Sequence, residues 1–502
     1  MEAKEIRVRP LGESPESNRF ELSDMDHTMP KIYVQIAEIF ELPPDVDRDG
    51  IVQSLTEGLA FALGQYPVLA GVLRMDASNG RMWVTKKQDS TVGLFVNDAS
   101  APAEKEHLPS FEYLEANDFP VQLLDGHKVL PKIVTEKQLF SPLGENADDD
   151  ATIISTFQIT FIEGGLILAA AIHHNCSDGP GCNGFLTTWA ENSAAASRGE
   201  PFKPIDVANA ARDQLSAPKP SAERWKELDG KFPILKNLGA PAPAPPPDFV
   251  MPNLKIRIWH VPISRAAELK AACAQADKEK WVSTYDCIMA LFWKTITRAK
   301  LPLLQPAVDK EVLLVHAVNT RNMLQPPLPD RFLGNAVALP RVPIGSIEEL
   351  VRPEGESNLP QLAAAVRESI RTITPQYAAE LPEWVAGLED RRYIAIDMDS
   401  FLGMDLAGTS WQAMTPYERH DFGFGLPKAM RWPHPQFEGY VFVLPSRAAV
   451  KKTKNSNGVA GRSEDENDEG LEICVCLEES CHDRLLRDAE LLKFAQPRGL
   501  DA

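Results

Sequence analysis

Long apolar runs are missing from this 502-residue chain. The best of them, Gly165 to Ile172, is strand-sized, far short of the roughly 20 apolar residues that cross a bilayer as a helix. The first ten residues, Met1 to Pro10, are charged and hold no apolar stretch of the kind a secretory signal needs. The C-terminal Arg498 to Ala502 resembles no retention or peroxisomal signal. Cysteine is scarce and odd in number, seven in all, which argues for a reducing compartment. Positive charge is also short: 52 Lys and Arg stand against 71 Asp and Glu, a formal net charge of −19. Long-range repulsion of that size opposes generic binding to nucleic acid or anionic membrane. The expectation is a cytoplasmic monomer with neither partner. Should its substrate carry phosphates, cations must be concentrated locally.

Several catalytic signatures are absent as well. No GxSxG occurs, which removes the usual hydrolase elbow. Asp421-Phe422-Gly423 spells the kinase DFG, yet no HRD and no glycine-rich loop with a VAIK-type lysine accompany it. Cys474, Cys476, Cys481 and His482 lie close in sequence, but their spacing fits no zinc template. They read as buried structural residues, and no metal is expected.

What is present is an ordinary globular composition, 44% hydrophobic and 25% charged, in a chain long enough for two similar-sized domains. Apolar spacing predicts a helix over Ile51 to Leu69, with Asp47, Asp49 and Gly50 at its start. Strands are expected at Met82 to Val84, Val92 to Val96, Ile153 to Ile162 and Leu166 to Ile172, the last two joined as a hairpin through Glu163-Gly164-Gly165. A helix follows from about Gly184 to Ala196. The prolines between Pro241 and Pro247 forbid a regular helix and favour an extended connector. The division is therefore residues 1–205, a crossover linker 206–250, and 251–502. In the second half a strand is expected at Leu254 to Val261, and a helix at Arg265 to Ala276 capped by Ser264. A long helix at Thr284 to Ala299, strands at Glu311 to Val318 and Leu471 to Leu477, and a final helix at Asp483 to Phe494 complete it. Lys451 to Gly470 reads as a mobile surface loop.

Chemistry concentrates at His173-His174-Asn175-Cys176-Ser177-Asp178-Gly179. An isolated HxxxD arises about 0.7 times by chance in a chain of this composition, so the spacing alone carries little. Context adds weight. A strand delivers both histidines to a loop, and Gly179-Pro180-Gly181 keeps them out of a helix interior. Neutral imidazole is the natural base near pH 7 for an alcohol or amine attacking a carbonyl. A thioester is already activated, so one base suffices for direct transfer.

This segment, with Asp421-Phe422-Gly423-Phe424-Gly425, resembles the paired HxxxD and DFGWG signature of the BAHD acyltransferases. Leu22 to Asp26 is similar to the family's LSxxD, and Tyr66 to Gly71 to its YPxLAG. Ser283 to Lys294, Asn319-Thr320-Arg321, Pro326 to Pro329, Gly334-Asn335 and Thr409-Ser410-Trp411 follow in the family's order. The detail looks closest to the fungal branch with trichothecene 3-O-acetyltransferases. The resemblance implies an α/β (α+β) fold of two chloramphenicol-acetyltransferase-like domains, each a mixed sheet flanked by helices. A channel would run along their interface, and a short stretch after DFGFG would pack on the first domain. It implies acyl-CoA, acetyl-CoA in the first instance, as co-substrate with nothing permanently bound, and a small alcohol or amine of secondary metabolism as acceptor. His174 would be the general base and His173 structural. Asp178 would form a salt bridge with Arg321, holding the loop. Thr409 and Trp411 would face the oxyanion or acceptor. Asp421, Gly423 and Gly425 would shape a turn. Ser283, Lys294, Arg298, Arg331, Lys428 and Arg431 are the candidate CoA contacts. Phe424 replaces the family's Trp and Leu426 its usual basic residue. Peptide-synthetase condensation domains share HHxxxDG but not DFGFG with TSW, and a non-catalytic ligand-binding relative is the third reading.

Overall fold

The computed structural model describes residues 3–499 except 13–16, 102–106, 138–151, 241–249, 251, 275–280, 345, 353–356, 400–401, 436, 449 and 451–467. Most of the proline run and of the expected 451–470 loop therefore lies outside the described residues. Two mixed sheets organise the rest. In the first, the strand order is Lys4–Val8, Val92–Asp98, Ser155–Ile162, Gly165–His173, Tyr33–Glu41, Ala429–Arg431. In the second it is Arg341–Ile344, Val312–His316, Leu406–Ser410, Tyr440–Val443, Leu471–Glu478, Leu254–Val261, Gln496–Arg498.

The near-continuous apolar sequence of Gly165–His173 follows from its place in the sheet. Every residue of it is buried, because helices cover one face and loops and short helices the other. On the covered face, Arg48–Gln65 packs against Gly179–Arg198, and Leu55, Leu59 and Leu63 enter one core with Phe185 and Trp189. The second sheet packs on Thr284–Leu304, whose residues Cys287 to Trp293 are all buried.

Several boundaries differ from expectation for local reasons. The helix after the histidine loop begins at Gly179, five residues early, because Pro180 suits a first helical turn and Asp178 caps it. Ser264 caps nothing: its helix starts at Ile263, and the Ser264 hydroxyl pairs with Asp468. The final helix is two, Glu479–Leu485 and Ala489–Leu492, because the Asp488 side chain accepts from the Leu491 N–H and starts a new turn. The expected linker is also structured. It carries the helix Ala222–Leu228 and the strand Leu235–Asn237, which pairs with Ile394–Ile396 and buries Phe232 against Trp384.

One strand crosses between the halves. After the DFGFG segment, Ala429–Arg431 hydrogen-bonds antiparallel to Tyr33–Glu41 in the first sheet, and the chain then returns at Tyr440 to the second. Arg431, fully buried, meets Glu472 of the second sheet at 2.8 Å, and Arg447 and Arg498 share that carboxylate. Burial alone would raise the Glu472 pKa; the three guanidiniums reverse this and hold it far below the usual carboxylate range. The halves are joined by both ladder and charge.

Candidate active site

Three parallel strands of the second sheet, Val312–His316, Leu406–Ser410 and Tyr440–Val443, contribute side chains to the wall of one cavity. The C-terminal end of Gly165–His173 reaches it from the first sheet. Crevices beyond the carboxyl ends of strands are where side chains and backbone amides can meet a ligand without breaking the sheet. The cavity volume is about 160 Å³, room for on the order of ten waters, so it is a binding space and not a packing defect.

His174 lies on its wall. Of residues 173–179 it alone is partly exposed, the others being buried. Hydrogen bonds fix the turn at almost every backbone position. The His174 N–H donates to the Ile32 carbonyl at 2.7 Å, and the Asn335 Nδ2 donates to the His174 carbonyl at 2.8 Å. Arg212 Nη2 donates to the Cys176 carbonyl at 2.8 Å, and Asn175 Nδ2 to the Asp26 carbonyl at 2.7 Å. Burial pulls the His174 pKa below the ordinary imidazole value, opposed by its own carbonyl, the Asp178 charge, the Asn335 amide and Asp26. The imidazole is therefore neutral at pH 7. His173 is wholly buried, stacks edge-on against Tyr33, and has its pKa lowered to about 3, chiefly by burial, with His174 and Lys31 adding to the shift.

Asp178 touches the His174 ring with neither oxygen. Its Oδ1 accepts from Arg321 Nη2 at 2.7 Å and from the Gly181 N–H at 2.9 Å. Its Oδ2 accepts from Arg321 Nη1 at 2.8 Å and from the Ala336 N–H at 3.0 Å. Burial would raise this carboxyl, and Arg321 with the two amides brings it below its ordinary value.

A second carboxylate does comparable work. Asp26, fully buried, accepts from Ser23, from Arg212 Nη1 at 2.7 Å and from Asn335 Nδ2 at 2.8 Å. Both donors reach onward to the histidine loop, so Asp26 shapes the loop through them. Sequence reading gave Asp26 and Asn335 only motif status and missed Arg212, which stands in the presumed linker.

Thr409, Ser410 and Trp411 line the cavity. The Trp411 indole closes on the catalytic loop: a methyl added at Gly179 would sit 2.9 Å from its Nε1. Glycine at 179 is thus a consequence of where Trp411 packs. The DFGFG turn is not part of the cavity wall. Asp421 accepts from the Gly423 and Gly425 N–H groups, and those glycines sit at φ +103° and +107°. Phe422 and Phe424 pack edge-on against Phe40. A side chain at 423 would also approach Ser197 Oγ at 2.5 Å. Gly423→Ala is expected to cost about 1–3 kcal/mol, read as a shift of the urea midpoint with little change in KM.

The candidate CoA contacts do not converge. Arg431 is fully buried on Glu472, and Lys294, only 2% exposed, holds Glu490 at 2.9 Å; neither can reach a phosphate. Arg298 is committed to Asp488 and Glu490, and Arg331 to Glu191 at 2.7 Å. Lys294 and Arg431 are corrected to structural ion pairs, since a buried charge needs a partner more than a mobile ligand can supply, while Arg298 and Arg331 are partly exposed with carboxylates beside them. Ser283 caps the long helix, accepting from the Asp286 N–H, and stays partly exposed. Lys428 lies 3.6 Å from Glu41 and is about a quarter exposed. Cys474, Cys476 and Cys481 are buried free thiols, and His482 Nε2 contacts the Lys255 carbonyl at 3.0 Å. Among the described residues no helix is long and apolar enough to cross a membrane.

The family model described as "Transferase family" matches residues 3–460. The acetyltransferase FGR3 of Gibberella zeae is 28% identical, over 98% of this chain and 94% of its own length. The trichothecene 3-O-acetyltransferase TRI101 of Fusarium sporotrichioides is 24% identical, over 83% of this chain and 87% of its own. Among solved structures, F. graminearum TRI101 complexed with ethyl coenzyme A superposes with a TM-score of 0.73 at 18% identity, covering 96% of this chain and 99% of that one. The two-sheet architecture is therefore shared, and the chain belongs to the Transferase family, the BAHD acyl-CoA-dependent acyltransferases.

Proposed function

We propose that this chain moves an acyl group, acetyl in the first instance, from acyl-CoA to a hydroxyl of a small secondary metabolite in one direct step. The observation that carries the reading is that His174 stands partly exposed on the shared cavity wall while the Asp178 carboxylate, buried beside it, is held by Arg321. In this reading His174 takes the hydroxyl proton as the oxygen attacks the thioester carbonyl. Charge then develops on that carbonyl oxygen beside Thr409 and Trp411, where a hydroxyl or indole donor stabilises it. The C–S bond breaks and His174 returns the proton to the departing thiolate. Asp178 relays nothing; it holds the loop. Ser283 and Lys428 keep accessible side chains and are the proposed CoA contacts. An amine acceptor would use the same base and is the alternative. The chain is proposed to act as a cytoplasmic monomer.

The test is release of free CoA thiol from acetyl-CoA in the presence of an alcohol panel, with the ester identified by mass. No acylated product from any alcohol or amine would sink the reading. The pH profile has a defined sign. Activity needs neutral His174, whose pKa is lowered, so kcat/KM should stay flat as pH falls from 8 through 6.5 and decline only below the ordinary imidazole range. An acid limb centred above 6.5 would place the essential base elsewhere.

A further inference from the structure

Beyond the catalytic groups, one polar side chain on the cavity wall has no assigned work. Gln35, in the strand Tyr33–Glu41, is 1% exposed and lines the cavity. Both polar atoms of its amide, Oε1 and Nε2, are buried without a hydrogen-bond partner. Its neighbours differ. The Tyr33 hydroxyl donates to the Ile153 carbonyl at 2.7 Å, while Val34 and Ile36 join the apolar core. Buried amides are nearly always satisfied, and one that is not, on the wall of a ligand cavity, marks a place where a ligand supplies the partner. An amide there offers an NH2 group with two N–H donors and a carbonyl acceptor, the combination that recognises a neutral carbonyl or hydroxyl.

The rest of the wall narrows the class further. Trp411, Trp432, Phe437, Tyr440 and Phe442 form a run of touching rings, with centroid separations from 4.6 to 6.0 Å. The ionised side chain among the described lining residues is Asp178, and Arg321 neutralises it. A carboxylated or cationic acceptor would leave its charge without a counter-ion in an apolar space, whereas a ring system would find rings.

We propose that Gln35 is the acceptor-recognition residue, and that the acceptor is an uncharged, ring-built alcohol or phenol whose second oxygen hydrogen-bonds the Gln35 amide. This rests on the acyltransferase reading above and names its substrate class. Gln35 stands on the strand beside the catalytic loop, whose N–H at His174 is bonded to Ile32 three residues earlier, so one rigid element sets both contacts. Acceptors with the second oxygen are favoured over those without it, and charged acceptors are rejected.

The experiment compares the native chain with Gln35→Met, a side chain of similar length without the amide. Acetyl-CoA is supplied with matched acceptor pairs: naphthalenediols against naphthols, and hydroxysteroid ketones against the same steroids lacking the ketone. Shikimate and putrescine serve as charged acceptors. The native enzyme should prefer the oxygenated member of a pair, and Gln35→Met should lose about 10–100-fold in kcat/KM on that member alone, bringing the pair level. Its melting temperature should hold or rise, because an unpaired buried amide has been removed. Equal losses on both members, no preference in the native enzyme, a preference for shikimate or putrescine, or rejection of the whole neutral panel would each overturn the proposal. His174-dependent release of CoA thiol from acetyl-CoA in water reports on the parent reading separately. If that release persists while the Gln35 effect fails, only the acceptor class is wrong; if it is absent and no acceptor is acylated, the acyltransferase reading itself fails.

Discussion

His174→Ala should lower kcat by about 10²–10⁴-fold while leaving the dissociation constant for CoA within a few-fold of native. The range is what a positioned general base contributes, and the residual rate would come from holding both substrates together in the cavity. Loss of the imidazole leaves the loop in place, because the bonds that fix it run through the His174 backbone N–H and carbonyl, not its ring. The alanine variant should therefore melt close to the native temperature. His174→Gln, which keeps size and polarity but cannot accept a proton near neutral pH, should be as slow as the alanine variant. Undiminished turnover in either, measured by ester formation, would remove His174 from the mechanism.

The second large effect is on stability. Arg321→Met strands the Asp178 carboxylate, which is 2% exposed and loses two of its four donors. Removing one partner of a buried pair costs about 3–5 kcal/mol, seen as a lower urea midpoint by tryptophan fluorescence. Turnover should fall with it, since the loop that presents His174 is set by that pair. The double variant Asp178→Leu/Arg321→Met should recover part of the stability, because no lone charge remains. It should not recover activity. The sign with pH is also fixed. The folded-state pKa of Asp178 is depressed, so its contribution is present above the unfolded value near 3.8 and is lost as pH falls through the lower folded value. Arg321→Met should consequently narrow the stability gap to native in acid. An unchanged midpoint would show that the pair adds nothing to holding the halves.

Local chemistry was well marked in the sequence. The two strands around Glu163-Gly164-Gly165 and the loop carrying His174 were readable from local pattern, and the pairing of Asp178 with Arg321 was what the family resemblance implied. What was illegible depends on distant pairing. Lys294 and Glu490 are 196 residues apart, Arg331 and Glu191 are 140 apart, and Asp26 and Asn335 are 309 apart. A basic residue looks the same in sequence whether it faces phosphate or a buried carboxylate, and only the fold supplies its partner. Arg212 was hidden because a proline-rich neighbourhood suggested mere connection. Gln35 left a faint trace, a glutamine within the otherwise apolar start of a central strand, but its meaning required knowing which atoms went unbonded.

The strand Ala429–Arg431 has a consequence for how molecules come and go. Because it is laddered into the first sheet while its chain belongs to the second, the two halves cannot swing apart as jaws without breaking backbone hydrogen bonds and uncovering Arg431 and Glu472. Substrates and products are then expected to pass with the body closed. Rigid bulk on an acceptor should then penalise entry more than it penalises chemistry, read as a rise in KM larger than the fall in kcat.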